Sequence, residues 1–185
     1  MRVHDRGDQV SSLASQLVDP KVVEADARDI EGLALVSFLA KQTYSQWAGD
    51  TWRPPSAARE QQRWKERFTD PEGWVAKALD GLELAGAVSV TAARTDGGHG
   101  TKIPGVAHLG RMFVHPEHWG RGIGTALLLQ GVAEMKQRGY RKAQLYTGAR
   151  NVRSRRFYER HGWRLGDEPE GYHEGIPMVC YTAGL

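Results

Sequence analysis

Three glycines at alternate positions, Gly120, Gly122 and Gly124, follow an apolar run that ends at Val114 and open a helix-like segment. A turn of this kind presents successive backbone N–H groups at the start of a helix, where the helix dipole also favours negative charge. Arg121 adds a fixed positive charge with several hydrogen-bond donors. The turn therefore predicts a phosphate or pyrophosphate site.

Two common phosphate motifs do not fit this turn. The dinucleotide fingerprint Gly-x-Gly-x-x-Gly, counted from Gly120, puts Thr125 where the third glycine belongs. The P-loop pattern fails as well, because no Gly-Lys-Ser/Thr follows at the required spacing. On the turn alone, a purely structural role for its glycines, that of allowing tight packing, stays open.

A second motif follows the next predicted strand. Asn151 precedes Tyr158 by seven residues, and the tyrosine stands in the phrase Phe157-Tyr158-Glu159. Together with the glycine turn, this motif resembles the GNAT superfamily of acetyl-CoA-dependent N-acetyltransferases. That family has an (Arg/Gln)-x-x-Gly-x-(Gly/Ala) turn after its fourth strand and then an Asn seven residues before a Tyr. The sequence departs from the pattern at Trp119, which stands where the family has Arg or Gln.

The resemblance runs from about Val88 to Trp163 and implies direct transfer of the acetyl group of acetyl-CoA, the co-substrate, to a primary amine of a small molecule or a protein. It places pantetheine beside the fourth strand and the pyrophosphate on the glycine turn. The cofactor-binding residues that it implies are Met112, Phe113, Val114, Trp119, Gly120, Arg121, Gly122, Ile123, Gly124, Thr125 and Asn151. Tyr158 is the expected catalytic residue, because the departing CoA thiolate needs a proton and a phenol can donate one.

The general base is not evident from the sequence. The predicted fifth strand, Ala143–Thr147, has no carboxylate, and His108 on the fourth strand is a candidate whose alternative is a structural histidine. Glu117 beside the turn suits a solvated loop equally well. His115 and His118 resemble a metal pair, but no further ligand follows at a suitable spacing, so no metal is expected.

The elements that must position these residues follow from the hydrophobic pattern and its turn signals. Strands are predicted at Val22–Glu24, Trp74–Leu79, Leu84–Ala93, Val106–Val114, Ala143–Thr147 and Met178–Thr182. Helices are predicted after the caps Asp26 and Ser56, over Gly122–Arg138 with Gly139 as C-cap, and over Asn151–Arg160. We expect an exposed loop over Arg94–Gly105, and we expect the second helix, with only Trp64 and Phe68 as apolar members, to pack loosely at an edge.

This order of elements indicates an α/β (α+β) domain with a central parallel β–α–β unit over Val106–Thr147. The resemblance implies a GNAT-like mixed, mostly antiparallel sheet flanked by helices. We expect residues 1–20 to form a flexible N-terminal arm and residues 21–185 to form a single N-acetyltransferase domain.

Composition excludes several classes of protein. The 185 residues, 40% hydrophobic and 25% charged, are typical of a globular domain and not of a fibrous or disordered chain. A single cysteine, Cys180, excludes an internal disulfide framework and a thiolate-rich zinc site. No apolar run reaches the length of a signal peptide or a membrane span, so a cytoplasmic location without membrane contact is expected.

The partners are less well defined by the sequence. The net charge of +3 is too small to indicate nucleic acid, and no nucleic-acid motif is present. A basic run is expected to form a solvated helix face, with one or two members near the CoA 3′-phosphate; it comprises Arg150, Arg153, Arg155, Arg156 and Arg160. An acetyltransferase that docks RNA to reach a tRNA-borne amine, and a CoA-binding regulator without catalysis, remain alternatives.

Three aromatic residues between the first two predicted helices, Tyr44, Trp47 and Trp52, complete the set of candidates. By the resemblance they cover the acceptor site, although core packing explains them nearly as well. The chain is expected to be a monomer or a homodimer, and the identity of the acceptor amine is left open.

Overall fold

A mixed β-sheet with helices on both faces organises the chain in the computed structural model, which describes residues 20–50, 52–166 and 171–185. The predicted N-terminal arm lies outside the described residues except for Pro20. The strands are β1 (Lys21–Glu24), β2 (Trp74–Asp80), β3 (Glu83–Arg94), β4 (Lys102–Val114), β5 (Lys142–Gly148), β6 (Arg164–Leu165), β7 (Gly171–His173) and β8 (Ile176–Gly184). The helices are α1 (Ile30–Gln42), α2 (Ala57–Thr69), α3 (Ile123–Gln137) and α4 (Val152–Arg160).

The strand order in the sheet is β1-β2-β3-β4-β5-β8-β6, and β7 pairs with β8 outside this path. The β4–β5 pair is parallel, whereas the other pairs in the described residues are antiparallel. Parallel neighbours need a crossover connection, which α3 supplies between β4 and β5. The predicted fold class, with its central β–α–β unit, is therefore confirmed.

The loop predicted over Arg94–Gly105 is shorter than expected. β4 begins at Lys102, which pairs with Arg94 of β3. The connection closes through a hydrogen bond of 2.9 Å from the Thr95 N–H to the Thr101 carbonyl. The glycines and the proline of this segment are typical of a loop, so the hairpin was not predicted. Pro104 is compatible with the strand because the pairing of β4 with β5 begins only at Val106.

The expectation that α2 packs loosely is wrong. Trp64 is completely buried, and its indole N–H donates to the Ser37 hydroxyl of α1 at 3.1 Å. It shares a core cluster with Leu33, Val75 and Ala87 on this face of the sheet. One large indole buries as much apolar surface as several small side chains, so a sparse apolar pattern is compatible with tight packing.

The larger core cluster lies on the opposite face of the sheet, under α3. Leu127 and Leu128 of α3 pack there with Val88 of β3 and Leu145 of β5. A Cβ added at Gly131 would lie only 3.1 Å from Leu109, so the glycine permits close approach of the helix to β4. In the part of the chain that the structure describes, no helix combines the length and apolarity needed to span a membrane.

Candidate functional site

The parallel pair β4–β5 separates near the middle of the sheet. The two strands pair over three positions only, the last being His108 with Gln144, while β4 continues to Val114. Separation leaves backbone groups of β4 without a strand partner on this side, and an extended ligand can pair with such an edge. The predicted residues Met112, Phe113 and Val114 lie here and are half-buried.

A β-bulge at Arg111 accompanies this separation. The β3–β4 register shifts by one residue, so β4 has an extra residue opposite Val88. Arg111 has a φ of 45°, which is unusual for a residue other than glycine. Its Nη2 donates to Glu60 Oε2 at 2.7 Å, and its Cζ lies 4.4 Å from the ring centroid of Trp64. Bulges bend the strand that contains them, and this one lies where β4 leaves β5.

The glycine turn leads from the end of β4 into α3. Gly120 and Gly122 have φ values of 80° and 79°, in the left-handed region that glycine adopts without strain. A Cβ added at either residue would meet no atom within 4 Å, so this side of the turn is open. No side chain caps the start of α3, which leaves its first amides available to an anion. Gly124, by contrast, faces the Phe157 ring.

Thr125 links the start of α3 to the end of α4. Its Oγ1 lies 3.2 Å from Nε2 of His161, and Nδ1 of that ring lies 2.8 Å from the Phe157 carbonyl. Since a carbonyl can only accept, Nδ1 carries a proton and donates to it, while Nε2 faces the Thr125 hydroxyl. This contact fixes the distance between the two helices that flank the open edge.

Arg121 is already paired in the protein. Its Nη1 lies 2.8 Å from Asp80 Oδ2, although 54% of its side chain is exposed. Hydrogen bonds from His118 and Arg121 lower the pKa of Asp80, so this carboxyl group is ionised near neutrality. His118 contacts Asp80 at 2.9 Å through Nδ1 and Glu83 at 3.3 Å through Nε2. Both nitrogens of this ring therefore have carboxylate neighbours.

Trp119 closes one part of the open edge. His115 N–H donates to Ala85 on the β3 side, so strand alternation turns the N–H and C=O of Val114 toward the opposite side. Trp119 Nε1 donates to the Val114 carbonyl at 3.0 Å. The Cζ of Arg153, from α4, lies 3.2 Å from the ring centroid of Trp119. The residue that departs from the family pattern thus contacts both sides of the site.

Asn151 caps α4. Its Oδ1 accepts a hydrogen bond of 3.1 Å from the Ser154 N–H, and the residue is 8% exposed. The structure therefore gives this side-chain oxygen a role in starting the helix that carries Tyr158.

Tyr158 belongs to the core cluster under α3. The residue is 7% exposed, and its ring packs near Phe157, Trp163 and Tyr181. Its hydroxyl makes no hydrogen bond with any residue that the structure describes. Burial raises the pKa of Tyr158 far above its ordinary value, and the proximity of Tyr44 adds to this. The phenol is therefore protonated at neutral pH and has its proton available to a ligand.

The two candidate bases differ in their surroundings. Burial, with a smaller effect of the Arg67 charge, lowers the pKa of His108 to about 4. Its Nδ1 is buried without a hydrogen-bond partner in the described residues, and its ring lies 5.8 Å from that of Tyr146. Such a ring is neutral at pH 7 but only weakly basic. Glu117 is exposed, as expected of a solvated loop residue.

A network of buried charges lies beside the bulge. Glu60 is completely buried and contacts Lys41 Nζ at 2.9 Å, Arg63 Nη1 at 3.3 Å and Arg111 Nη2 at 2.7 Å. Burial alone would raise the pKa of Glu60, but the cations of Arg111 and Lys41 outweigh it and lower the pKa to about 2. Glu174, in the β7–β8 turn, joins the network through Arg63 and Lys41. The sequence analysis missed this network, because Lys41, Arg111 and Glu174 are far from Glu60 in the chain.

The aromatic residues after α1 form a cluster, as proposed. The Tyr44 ring centroid lies 4.6 Å from that of Trp47 and 5.5 Å from that of Trp52. Trp47 packs over the end of β5, where a Cβ on Gly148 would come within 2.5 Å of its ring. Burial, with the charges of Glu60 and Glu174, raises the pKa of Tyr44 to about 12. These rings therefore lie beside both the ion network and Tyr158.

The basic run at and before α4 is mostly solvated, as expected: Arg150, Arg153, Arg156 and Arg160 are exposed. Arg155 is half-buried and donates to the Tyr181 hydroxyl and the Ala149 carbonyl at 3.1 Å each. Arg153, although exposed, stacks on Trp119. The spacing of arginines along a helix does not show which of them pack against the protein and which face water.

In chemical terms the site combines three features: an open strand edge, a turn suited to an anion, and a buried protonated phenol. The chain is also similar to known proteins. The model of the acetyltransferase (GNAT) family matches residues 40–163. The chain is 37% identical over 74 residues to an uncharacterised N-acetyltransferase of Methanocaldococcus jannaschii. The aligned segment covers 40% of this chain and 33% of that protein.

It is also 34% identical over 137 residues to the mycothiol acetyltransferase of Cellulomonas flavigena, covering 68% of this chain and 37% of that protein. The chain thus spans about a third of the length of these curated relatives. Among solved structures, an acetyltransferase of Salmonella typhimurium with its cofactor acetyl-CoA has a TM-score of 0.66 at 18% identity, with 89% of this chain and 93% of that chain covered.

Proposed function

The chain belongs to the acetyltransferase (GNAT) family, and on that premise we propose that it transfers the acetyl group of acetyl-CoA directly to a primary amine. The observation that carries this proposal is the continuity between the open edge of β4 and the glycine turn. The edge ends at Val114, and α3 begins at Ile123, so one extended ligand can contact both. A thioester with a pantetheine arm and a pyrophosphate has this shape and chemistry.

The residues present fit acetyl-CoA. Backbone groups of β4 suit the amides of pantetheine, while the open turn at Gly120 and Gly122 and the uncapped start of α3 suit the pyrophosphate. The Trp119 indole N–H already donates to the Val114 carbonyl. When pantetheine binds, we expect the indole to move away or to remain as one wall of the site. We propose the same cofactor-binding residues as those inferred from the sequence, with Arg121 able to exchange Asp80 for phosphate.

When bound, acetyl-CoA supplies an activated acetyl group as a thioester. The Val114 N–H, directed to the open edge, donates to the carbonyl oxygen of that group and stabilises the negative charge that develops there. Tyr158 holds a proton at its Oη and donates it to the sulfur as the thiolate departs. The rise in its pKa keeps this proton in place until a developing anion accepts it.

The attacking amine must be neutral. Burial is the largest influence on the pKa of Tyr44, which lies at the proposed acceptor site, and burial disfavours the charged form of an amine bound there. His108 is neutral at pH 7 and can accept a proton only weakly, because its pKa is lowered to about 4. We therefore propose that desolvation of the amine contributes more to its deprotonation than a single strong base.

A screen of amines tests the proposed function. Purified protein is incubated with acetyl-CoA and a panel of amino acids, polyamines, amino sugars, peptides and aminoacylated tRNA, while free thiol is measured. We expect acceptor-dependent release of CoA together with an acetylated amine in mass spectra. Tight binding of acetyl-CoA without release for any amine would contradict the proposal and favour a regulator. Activity confined to RNA-borne amines would favour docking on RNA.

A further inference from the structure

We propose that Arg111 is a positioning residue whose side chain, held by Glu60 of α2, fixes the bulge in β4. The bulge sets the open edge at which the proposed function places acetyl-CoA, so this inference rests on that function. The link runs from a helix on one face of the sheet to the strand that receives the ligand. Neither residue belongs to the motifs that identify the family.

Arg111 needs an external constraint to keep its conformation. Its φ of 45° lies in the left-handed region, which costs a residue with a Cβ free energy relative to glycine. Such conformations persist where the surrounding structure holds them. Glycine would adopt this φ without strain. Because the residue is an arginine, contacts of its side chain must hold the backbone in this conformation.

The contacts of the Arg111 side chain supply that constraint. Only 10% of the side chain is exposed, and its Nη2 donates to Glu60 Oε2 at 2.7 Å. The guanidinium is also held between aromatic rings, with its Cζ 4.4 Å from the Trp64 centroid and 5.5 Å from that of Phe113. Glu60 itself is 0% exposed and fixed by Lys41, so both ends of the ion pair are immobilised.

Charge balance alone does not require Arg111. Glu60 retains two cationic partners without it, Lys41 at 2.9 Å and Arg63 at 3.3 Å. What Arg111 adds is a connection to β4, whose last pair with β5 lies three residues earlier at His108. If the bulge is lost, the residues of β4 near Arg111 shift relative to β3. The backbone groups of β4 that receive pantetheine are then displaced.

Two substitutions at one position test this role. Arg111→Ala removes the ion pair and keeps a Cβ, whereas Arg111→Gly removes the ion pair but accepts a φ of 45° without strain. Arg63→Met is the matched control, since it removes a different cation from the same carboxylate and that cation otherwise pairs with Glu174. Each variant is characterised by its melting temperature, its acetyl-CoA affinity by calorimetry, and its KM and kcat with an amine found in the screen.

We expect Arg111→Ala to weaken acetyl-CoA binding about 10-fold or more, Arg111→Gly to recover most of that loss, and Arg63→Met to bind as the parent protein does. Equal affinities of the Ala and Gly variants, or a parental affinity of Arg111→Ala, would overturn the proposal. Crystal structures of the free variants provide a ligand-independent test: we expect the bulge to persist in the Gly variant and to be lost or displaced in the Ala variant. A parent protein that binds no acetyl-CoA would contradict the proposed function, while these structures would still decide the role of Arg111.

Discussion

The guanidinium of Arg153 lies over the indole of Trp119, with its Cζ 3.2 Å from the ring centroid. This contact joins α4, which carries Tyr158, to the glycine turn at the end of β4. The same indole donates to the Val114 carbonyl. Trp119, in the position where the family has Arg or Gln, therefore connects the two sides of the site within the protein.

Replacement of Arg153 by Gln should destabilise the protein, because it removes a cation–π contact. Such contacts contribute about 0.5–1 kcal/mol at partly exposed sites. Urea denaturation measures the effect, and Arg156→Gln, on the same helix and exposed, is the control with no expected change. Equal unfolding free energies of the two variants would show that the stacking contributes nothing.

Gly122→Val should abolish tight binding of acetyl-CoA, because the added side chain projects into the open space of the turn. The substitution also strains the backbone, since Gly122 has a φ of 79°. Gly139→Val is a matched control at the other end of α3, where φ is 82° and a Cβ also meets no atom within 4 Å.

We expect both glycine variants to lose about 1–2 kcal/mol or more of stability, the usual cost of a left-handed residue with a Cβ. Only the Gly122 variant should lose affinity in calorimetry. If both variants bind acetyl-CoA equally, the turn is not the pyrophosphate site.

Asp80→Asn should strengthen acetyl-CoA binding at low salt. The substitution releases Arg121 from a carboxylate 2.8 Å away and leaves its charge to a phosphate. Exposed ion pairs are weak, so we expect a decrease in Kd of about 2- to 5-fold that shrinks as salt is added. Glu83→Gln is the control, because that carboxylate contacts His118 and not Arg121. Weaker binding by the Asp80 variant would mean that the carboxylate orients Arg121 for its ligand.

His108 should make the protein less stable as the pH decreases. Its pKa is about 4 in the folded protein against 6.5 in the unfolded chain, so the unfolded state binds more protons between these values. The folded state therefore has its full stability above pH 6.5 and loses it as the pH decreases toward 4. Relative to His108→Asn, we expect the parent protein to lose about 3 kcal/mol of unfolding free energy between pH 7 and pH 4. Parallel pH profiles would show that the ring is not desolvated as described.

The glycine turn and the β–α–β unit could be predicted from the sequence because their signals are local. Gly122 and Gly139 bound α3, and Asn151 caps α4, within a few residues of the apolar pattern that defines each helix. The closing turn of the β3–β4 hairpin was missed because its glycines also fit an open loop.

The ion network and the packing of α2 could not be predicted, because they depend on residues distant in the chain. Glu60 meets Arg111 across 51 positions, and Trp64 meets Ser37 across 27. A charge on a helix has the same local pattern whether it faces water or a buried cation. Only the folded arrangement distinguishes these cases.

The turnover of Tyr158→Phe tests the central claim most directly. The substitution keeps the buried ring and removes only the hydroxyl, so we expect nearly unchanged stability and acetyl-CoA affinity. Tyr181→Phe is the control in the same aromatic cluster; it loses hydrogen bonds to Glu159 and Arg155, and we expect lower stability with normal turnover per folded molecule. With an amine from the screen, kcat of Tyr158→Phe should fall about 10²–10⁴-fold, the range for loss of a positioned general acid. Full turnover of this variant across the pH range would contradict the assignment of Tyr158 as the proton donor to CoA.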